Sequence, residues 1–108
     1  MLEDIERMNL LLDQYRPLLT EKQAEAMELH YTSDLSFKEI AEEYGISKAA
    51  AYDLIHRTEL LLEHYESKLH LVKNSQERLA AYEKMIRSDD PKLREWGEIL
   101  HKLEEREE

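Results

Sequence analysis

The chain has 108 residues, 25 acidic against 15 basic side chains for a formal charge of −10, and no cysteine. That length suits one core, the missing cysteines exclude disulfides, zinc–thiolate sites and thiol catalysis, and the acidity opposes the Lys and Arg excess that rewards binding to nucleic-acid phosphates. With only two glycines, two prolines and 42% apolar residues, and no stretch alternating apolar and polar, the composition predicts an all-α fold of about six helices. These are expected to form a single helical domain over residues 1–108.

In chain order, Leu2, Ile5, Met8, Leu12 and Tyr15 recur at helical spacing and predict a first helix over 2–15, its stripe widened by Leu10 and Leu11. Pro17 bars that helix from running on. Thr20 with Gln23 forms a capping box that opens a second helix through about Tyr31, with Ala24, Met27, Leu29 and Tyr31 apolar. Ser36 with Glu39 repeats the signature for a short third helix through Tyr44, which Gly45 ends in a left-handed cap. Ser47 caps the fourth helix. No glycine or proline follows until Pro91, so the pattern carries it to about Val72. Asn74 or Ser75 then caps a fifth helix facing inward with Leu79, Tyr82, Met85 and Ile86. Asp90 as cap and Pro91 as first residue start a sixth, carrying Leu93, Trp96, Ile99, Leu100 and Leu103, so that the C-terminal helices span 75–106. From Glu104 the tail reads as solvated charge, as does the Glu104–Glu105 pair.

Residues 36–57 carry the helix-turn-helix pattern. Two helices that cross closely need a small residue, Ala41; the tight turn needs a residue tolerant of positive φ, Gly45; and Ser47 caps the second helix. Ile40, Ile46, Ala51, Leu54 and Ile55 supply the apolar anchors. A plain helical hairpin would explain the glycine but not the Ala41–Gly45–Ala51 spacing. On the second helix, Ala51, Ile55, Thr58, Leu62, Tyr65 and Leu69 form the packing face. The head of its opposite face holds Lys48, Ala49, Tyr52, Asp53, His56 and Arg57. That set offers two firm positive charges, one histidine and one carboxylate, chemistry suited to DNA, RNA or an acidic peptide. A weaker seam of Leu60, His64, Ser67 and Leu71 follows. Either the last two helices fold back over it with Trp96 as anchor, or a second copy covers it in a homodimer.

Residues 18–60 resemble region four of bacterial sigma factors in Leu19-Thr20, Gln23, Glu39-Ile40-Ala41-Glu42, Gly45-Ile46-Ser47 and Ile55-His56-Arg57. A narrower resemblance covers nearly the whole chain. The Leu19-Thr20-x-Lys22-Gln23 opening, the run from Ala51 to Glu59 and the run from Leu61 to His70 are similar to the YlxM family of small bacterial helix-turn-helix proteins. Its members are encoded beside the genes of the signal recognition particle GTPases. The resemblance implies a sigma-like architecture and a regulatory or accessory role in that targeting pathway, with protein, RNA or DNA as partner. The chain departs from the family where a reading side chain is common. Its recognition helix begins Lys48-Ala49-Ala50-Ala51, so Ala49 and Ala50 offer only methyl contacts to base edges.

Five histidines (30, 56, 64, 70 and 101) show no i,i+4 pair and no His-Glu-x-x-His arrangement, so no metal site and no cofactor is expected. Glu42-Glu43 lacks the apolar setting that acid–base work needs, and no phosphate loop or nucleophile elbow is present; a binding protein is expected rather than an enzyme. The acidic N-terminus does not read as a signal peptide, and no apolar run reaches the roughly 18–20 residues of a membrane span. The expected location is the cytoplasm, with no membrane contact.

Overall fold

The computed structural model describes residues 2–105, with side chains from Asp4 onward; the side chain of Leu2 and the end of the predicted 75–106 span lie outside the described residues. The chain is all-α. It runs as α1 (Leu2–Tyr15), a 3₁₀ turn (Arg16–Leu18), α2 (Glu21–Tyr31), α3 (Phe37–Tyr44), α4 (Lys48–Leu69), α5 (Leu71–Ile86) and α6 (Pro91–Glu105). It divides into two compact units, Met1–His70 and Leu71–Glu108.

In the first unit the local chemistry fixes where each helix starts. Thr20 accepts from the Gln23 amide at 3.1 Å while the Gln23 side chain accepts from the Thr20 amide at 2.9 Å. Ser36 and Glu39 do the same at the head of α3. Each box satisfies two amides that a helix start leaves orphaned. α3 closes on Gly45 at φ 64°, which turns the Ile46 amide back onto the Ala41 carbonyl at 3.0 Å.

The core is built from one side of each helix: Leu11, Leu12 and Tyr15 of α1, Ala24, Ala26 and Met27 of α2, Ile40 and Ala41 of α3, and Ala51, Ile55 and Leu62 of α4. Two buried polar groups on α4 are satisfied. Thr58 donates to the Leu54 carbonyl at 2.8 Å, and Glu66 accepts from the Tyr15 hydroxyl at 2.5 Å. On α1, Leu11 is buried and Ile5 is 40% exposed. The stripe thus turns toward Leu11 and Leu12 and away from Ile5.

The fourth helix stops at Leu69, three residues before the expected Val72. His70 takes a left-handed conformation at φ 54°, with its amide on the Glu66 carbonyl. A non-glycine residue there costs about 1–2 kcal/mol, and histidine is among the few that accept it more readily. The break also ends the expected seam: Leu60, His64 and Ser67 lie on α4, whereas Leu71 opens α5 and shares no helix face with them. Leu60 is 58% exposed, and His64 is exposed too. Leu69, assigned to the packing face, is 48% exposed, while Glu66 is buried.

In the second unit α5 packs against α6. The fifth helix begins at Leu71, so Ser75 is no cap; it lies inside the helix, buried, and donates to Glu104 at 2.9 Å. Arg78 holds the same carboxylate through two nitrogens at 2.8 and 3.0 Å. Glu104 is therefore not part of a solvated tail. Its carboxyl lies below the usual range, chiefly through the Arg78 hydrogen bond. Asp90 caps α6 as expected, accepting from the Lys92 amide at 3.0 Å. Gly97 is buried against α5, where an added Cβ would stand 2.8 Å from the Met85 Cβ and 3.0 Å from the Ile86 amide nitrogen. Helix–helix approach at this point requires glycine's missing side chain.

Candidate recognition surface on the fourth helix

α4 is anchored by residues that never reach the surface. Ile40, Ala51 and Ile55 are essentially inaccessible and Ala41 is 6% exposed, so α3 and α4 cross over small and branched side chains. Ile46 is half-buried, and Ser47 accepts from the Ala50 amide at 3.0 Å.

Their placement leaves Lys48, Ala49, Tyr52, Asp53, His56 and Arg57 exposed along one face of the same helix. Arg57 is engaged by Asp53, Nε to Oδ2 at 2.9 Å, with both side chains more than half exposed. Such a pair is worth at most about 1 kcal/mol, so Arg57 can be drawn to another partner, but the carboxylate stays beside it. His56 faces Glu59 at 3.5 Å, and Glu59 also accepts from the Tyr31 hydroxyl. Burial pushes the Glu59 carboxyl above its ordinary range, with the nearby His30 opposing the shift.

Two features of this surface were not legible in the sequence. The first is a continuous row of rings across three helices. His30 stacks on Phe37 at 4.6 Å, Phe37 meets Tyr52 edge-on at 5.2 Å, and Tyr52 stacks on His56 at 5.6 Å. His30 is fixed in turn by a contact of Nδ1 with the Leu35 carbonyl at 2.8 Å. Tyr52 and His56 are one helical turn apart and readable as neighbours, whereas His30 and Phe37 join them only through tertiary packing. The second is an open groove beside the row, lined by Asp4, Arg7, Met8, Tyr31, Glu59 and Glu63. Arg7 is drawn onto Glu63 by two nitrogens at 2.6 and 3.2 Å.

The electrostatic balance follows. Lys48 and Arg57 bring two cations to the face, and Asp53 and Glu59 bring two carboxylates beside it. Counterion release lowers log K by about 0.9 per phosphate neutralised for each decade of salt, and tight duplex binders make about 6–10 such contacts. Two cations with carboxylates beside them fall well short.

Comparison with known proteins gives this arrangement a family setting. Residues 2–104 match the family model described as "Putative helix-turn-helix protein, YlxM / p13 like". The chain is 44% identical over 107 residues to UPF0122 proteins of Bacillus thuringiensis (strain Al Hakam), Bacillus cereus (strain Q1) and Bacillus anthracis (strain A0248). Each alignment covers 96% of this chain and 97% of the relative. Among the described residues no helix is long and apolar enough to cross a membrane, and no cluster of His, Asp and Glu is arranged to hold a metal ion.

Proposed function

We propose that this chain, which belongs to the YlxM / p13-like family of helix-turn-helix proteins, is a cytoplasmic regulatory or accessory protein of the bacterial signal recognition particle pathway. It binds a protein or RNA component of the particle through the head of α4 and carries out no catalytic step. Membership of a family whose members are encoded beside the particle's GTPase genes supplies the pathway. The observation that carries the mode of action is the recognition face itself. It offers two cations, one of them paired with Asp53, presents methyl groups at Ala49 and Ala50 where a duplex reader needs donors and acceptors, and exposes the rings of Tyr52 and His56.

Residues 1–70 hold 15 acidic and 7 basic side chains. That excess favours a basic partner, such as the RNA-binding domain of a particle protein, by steering the encounter and rejecting acidic competitors. Titrating the full chain with purified particle GTPase and with particle RNA, at several salt concentrations, tests the reading. Binding to one of them that weakens with salt and falls at least tenfold in Tyr52→Ala supports it. No binding to either by folded protein sinks it.

A second reading, a DNA-binding transcriptional regulator, is favoured by the intact geometry of the motif: the Ser36 box, Gly45 at positive φ, and the Ser47 cap. It requires Lys48, Tyr52, His56 and Arg57 to contact the duplex. Sub-micromolar affinity for a duplex at physiological salt, lost in Arg57→Ala, would establish it over the first.

A further inference from the structure

The α5–α6 hairpin buries very little of its own apolar surface. Val72, Ser75 and Gly97 are its buried residues, while on α6 Leu93 is 41% exposed, Trp96 59%, Ile99 40% and Leu103 54%. A compact unit of 38 residues is below the size at which a chain usually holds a core without a disulfide, a metal or a partner, roughly 40 residues. Leu93, Trp96, Ile99 and Leu103 follow one another at steps of three, three and four, so they form one side of the helix. This stripe is an apolar feature that the recognition surface does not use.

We infer that this stripe is a homodimer interface, covered by the α5–α6 hairpin of a second copy of the chain. Three observations select that occupant. First, the stripe is close to self-complementary when reversed: Leu93 and Leu103 stand five residues either side of Glu98, with Trp96 and Ile99 between them. An antiparallel pairing about a twofold axis sets Leu93 of one copy against Leu103 of the other, and Trp96 within one residue of Ile99, in the manner of an isologous contact. Second, charge permits it. Residues 71–108 carry ten acidic and eight basic side chains, so two such units repel little, whereas residues 1–70, with 15 against 7, repel their own kind and suit a basic partner. Third, the area suffices. Two helices of about 22–24 Å lying about 10 Å apart present a face that, doubled across two copies, comes to roughly 1,000 Å², the lower edge of a specific interface. The product is a four-helix bundle made of two hairpins, and its formation depends on concentration. This seam differs from the Leu60–His64–Leu71 seam, which the break at His70 disperses over two helices.

Trp96 is the chain's single tryptophan and lies in the middle of the stripe, so the protein reports on this contact directly. Light scattering and sedimentation of the full chain from low to high micromolar concentration should give masses rising toward twice the 12.9 kDa of one chain. The emission of Trp96 should shift to the blue over the same range. Ile99→Asp with Leu103→Asp should hold the mass at that of one chain and keep the emission red, with helical circular dichroism retained. Leu60→Asp should leave the dimer intact. A wild-type chain that stays monomeric at high micromolar concentration would overturn the inference. So would a dimer that persists in the folded α6 variant or is abolished by Leu60→Asp.

Discussion

The two units of this chain use the same helix-forming residues for opposite ends. The first closes a core of its own, although Leu18, Tyr52 and Leu60 stay more than half exposed. Leu11, Met27, Ile40, Ile55 and Leu62 are each at most 1% exposed, and most of its carboxylates lie outside, with Glu66 buried. The second, nearly balanced in charge, leaves Trp96 and Leu103 more than half exposed. A unit that closes its own core can hold a motif rigidly and devote its surface to charge. One that cannot must present apolar surface, and its stability depends on what covers it.

Their glycines repeat the contrast. Gly45 is needed for a backbone angle, with nothing within 4 Å of where a Cβ would stand, while Gly97 is needed for space.

Substitutions can test this contrast, beginning with the largest effect. Leu62→Ala removes a fully buried side chain from the first unit and should cost about 2–5 kcal/mol in chemical denaturation. In hydrogen exchange the loss of protection should fall on α1–α4. Equal loss in α5–α6 would show that the two units unfold as one.

Gly97→Ala should destabilise the hairpin by about 1–3 kcal/mol through overpacking against Met85 and Ile86, reduced by up to about 1 kcal/mol of helix propensity. Exchange in α2–α4 should not change. Tyr15→Phe takes a hydrogen bond from the buried Glu66 and should cost about 1–3 kcal/mol, with its effect confined to α1 and α4. Gly45→Ala meets no neighbour, so only the left-handed angle counts against it, at about 1 kcal/mol; its midpoint shift should be smaller than that of Leu62→Ala.

The smallest effect is on pH dependence, and the two units should diverge. Glu104 has a lowered pKa, so its contribution is present above the unfolded value and is lost as pH falls through the folded one. Glu59 has a raised pKa, so its contribution is complete at low pH and is lost as pH rises through the folded value. Acidification below about pH 5 should weaken the hairpin at the Arg78–Glu104 contact while relieving the charge on Glu59. Glu104→Gln should flatten the hairpin's share of the response, and Glu59→Gln that of the first unit, both read by residue-resolved exchange between pH 6 and 3.

Much of the fold was legible because its signals are local. The Thr20–Gln23 and Ser36–Glu39 boxes, Gly45 and the Asp90–Pro91 start each act within one helical turn, and each appears as the sequence suggests. The break at His70 was not legible, since a left-handed histidine carries no compositional mark and the apolar pattern runs through it. Glu104 reads as tail charge because its partners, Ser75 and Arg78, come from another helix. The candidate surface divides in the same way. Lys48, Tyr52, Asp53, His56 and Arg57 share a helix face and can be found by counting, while the row through Phe37 to His30 and the engagement of Glu59 by Tyr31 exist only once α2, α3 and α4 have packed.

The methyl groups at the head of α4 make the motif a blank mount. Ala49 and Ala50 are exposed, and what the Ser47 cap takes is the backbone amide of Ala50 rather than its side chain. Glutamine or arginine could be grafted there for a few tenths of a kcal/mol of helix propensity, without disturbing Ala51 or Ile55 beneath. This chain is therefore a ready host for transplanted specificity: a rigid, capped pedestal on which a base-reading vocabulary can be written one side chain at a time.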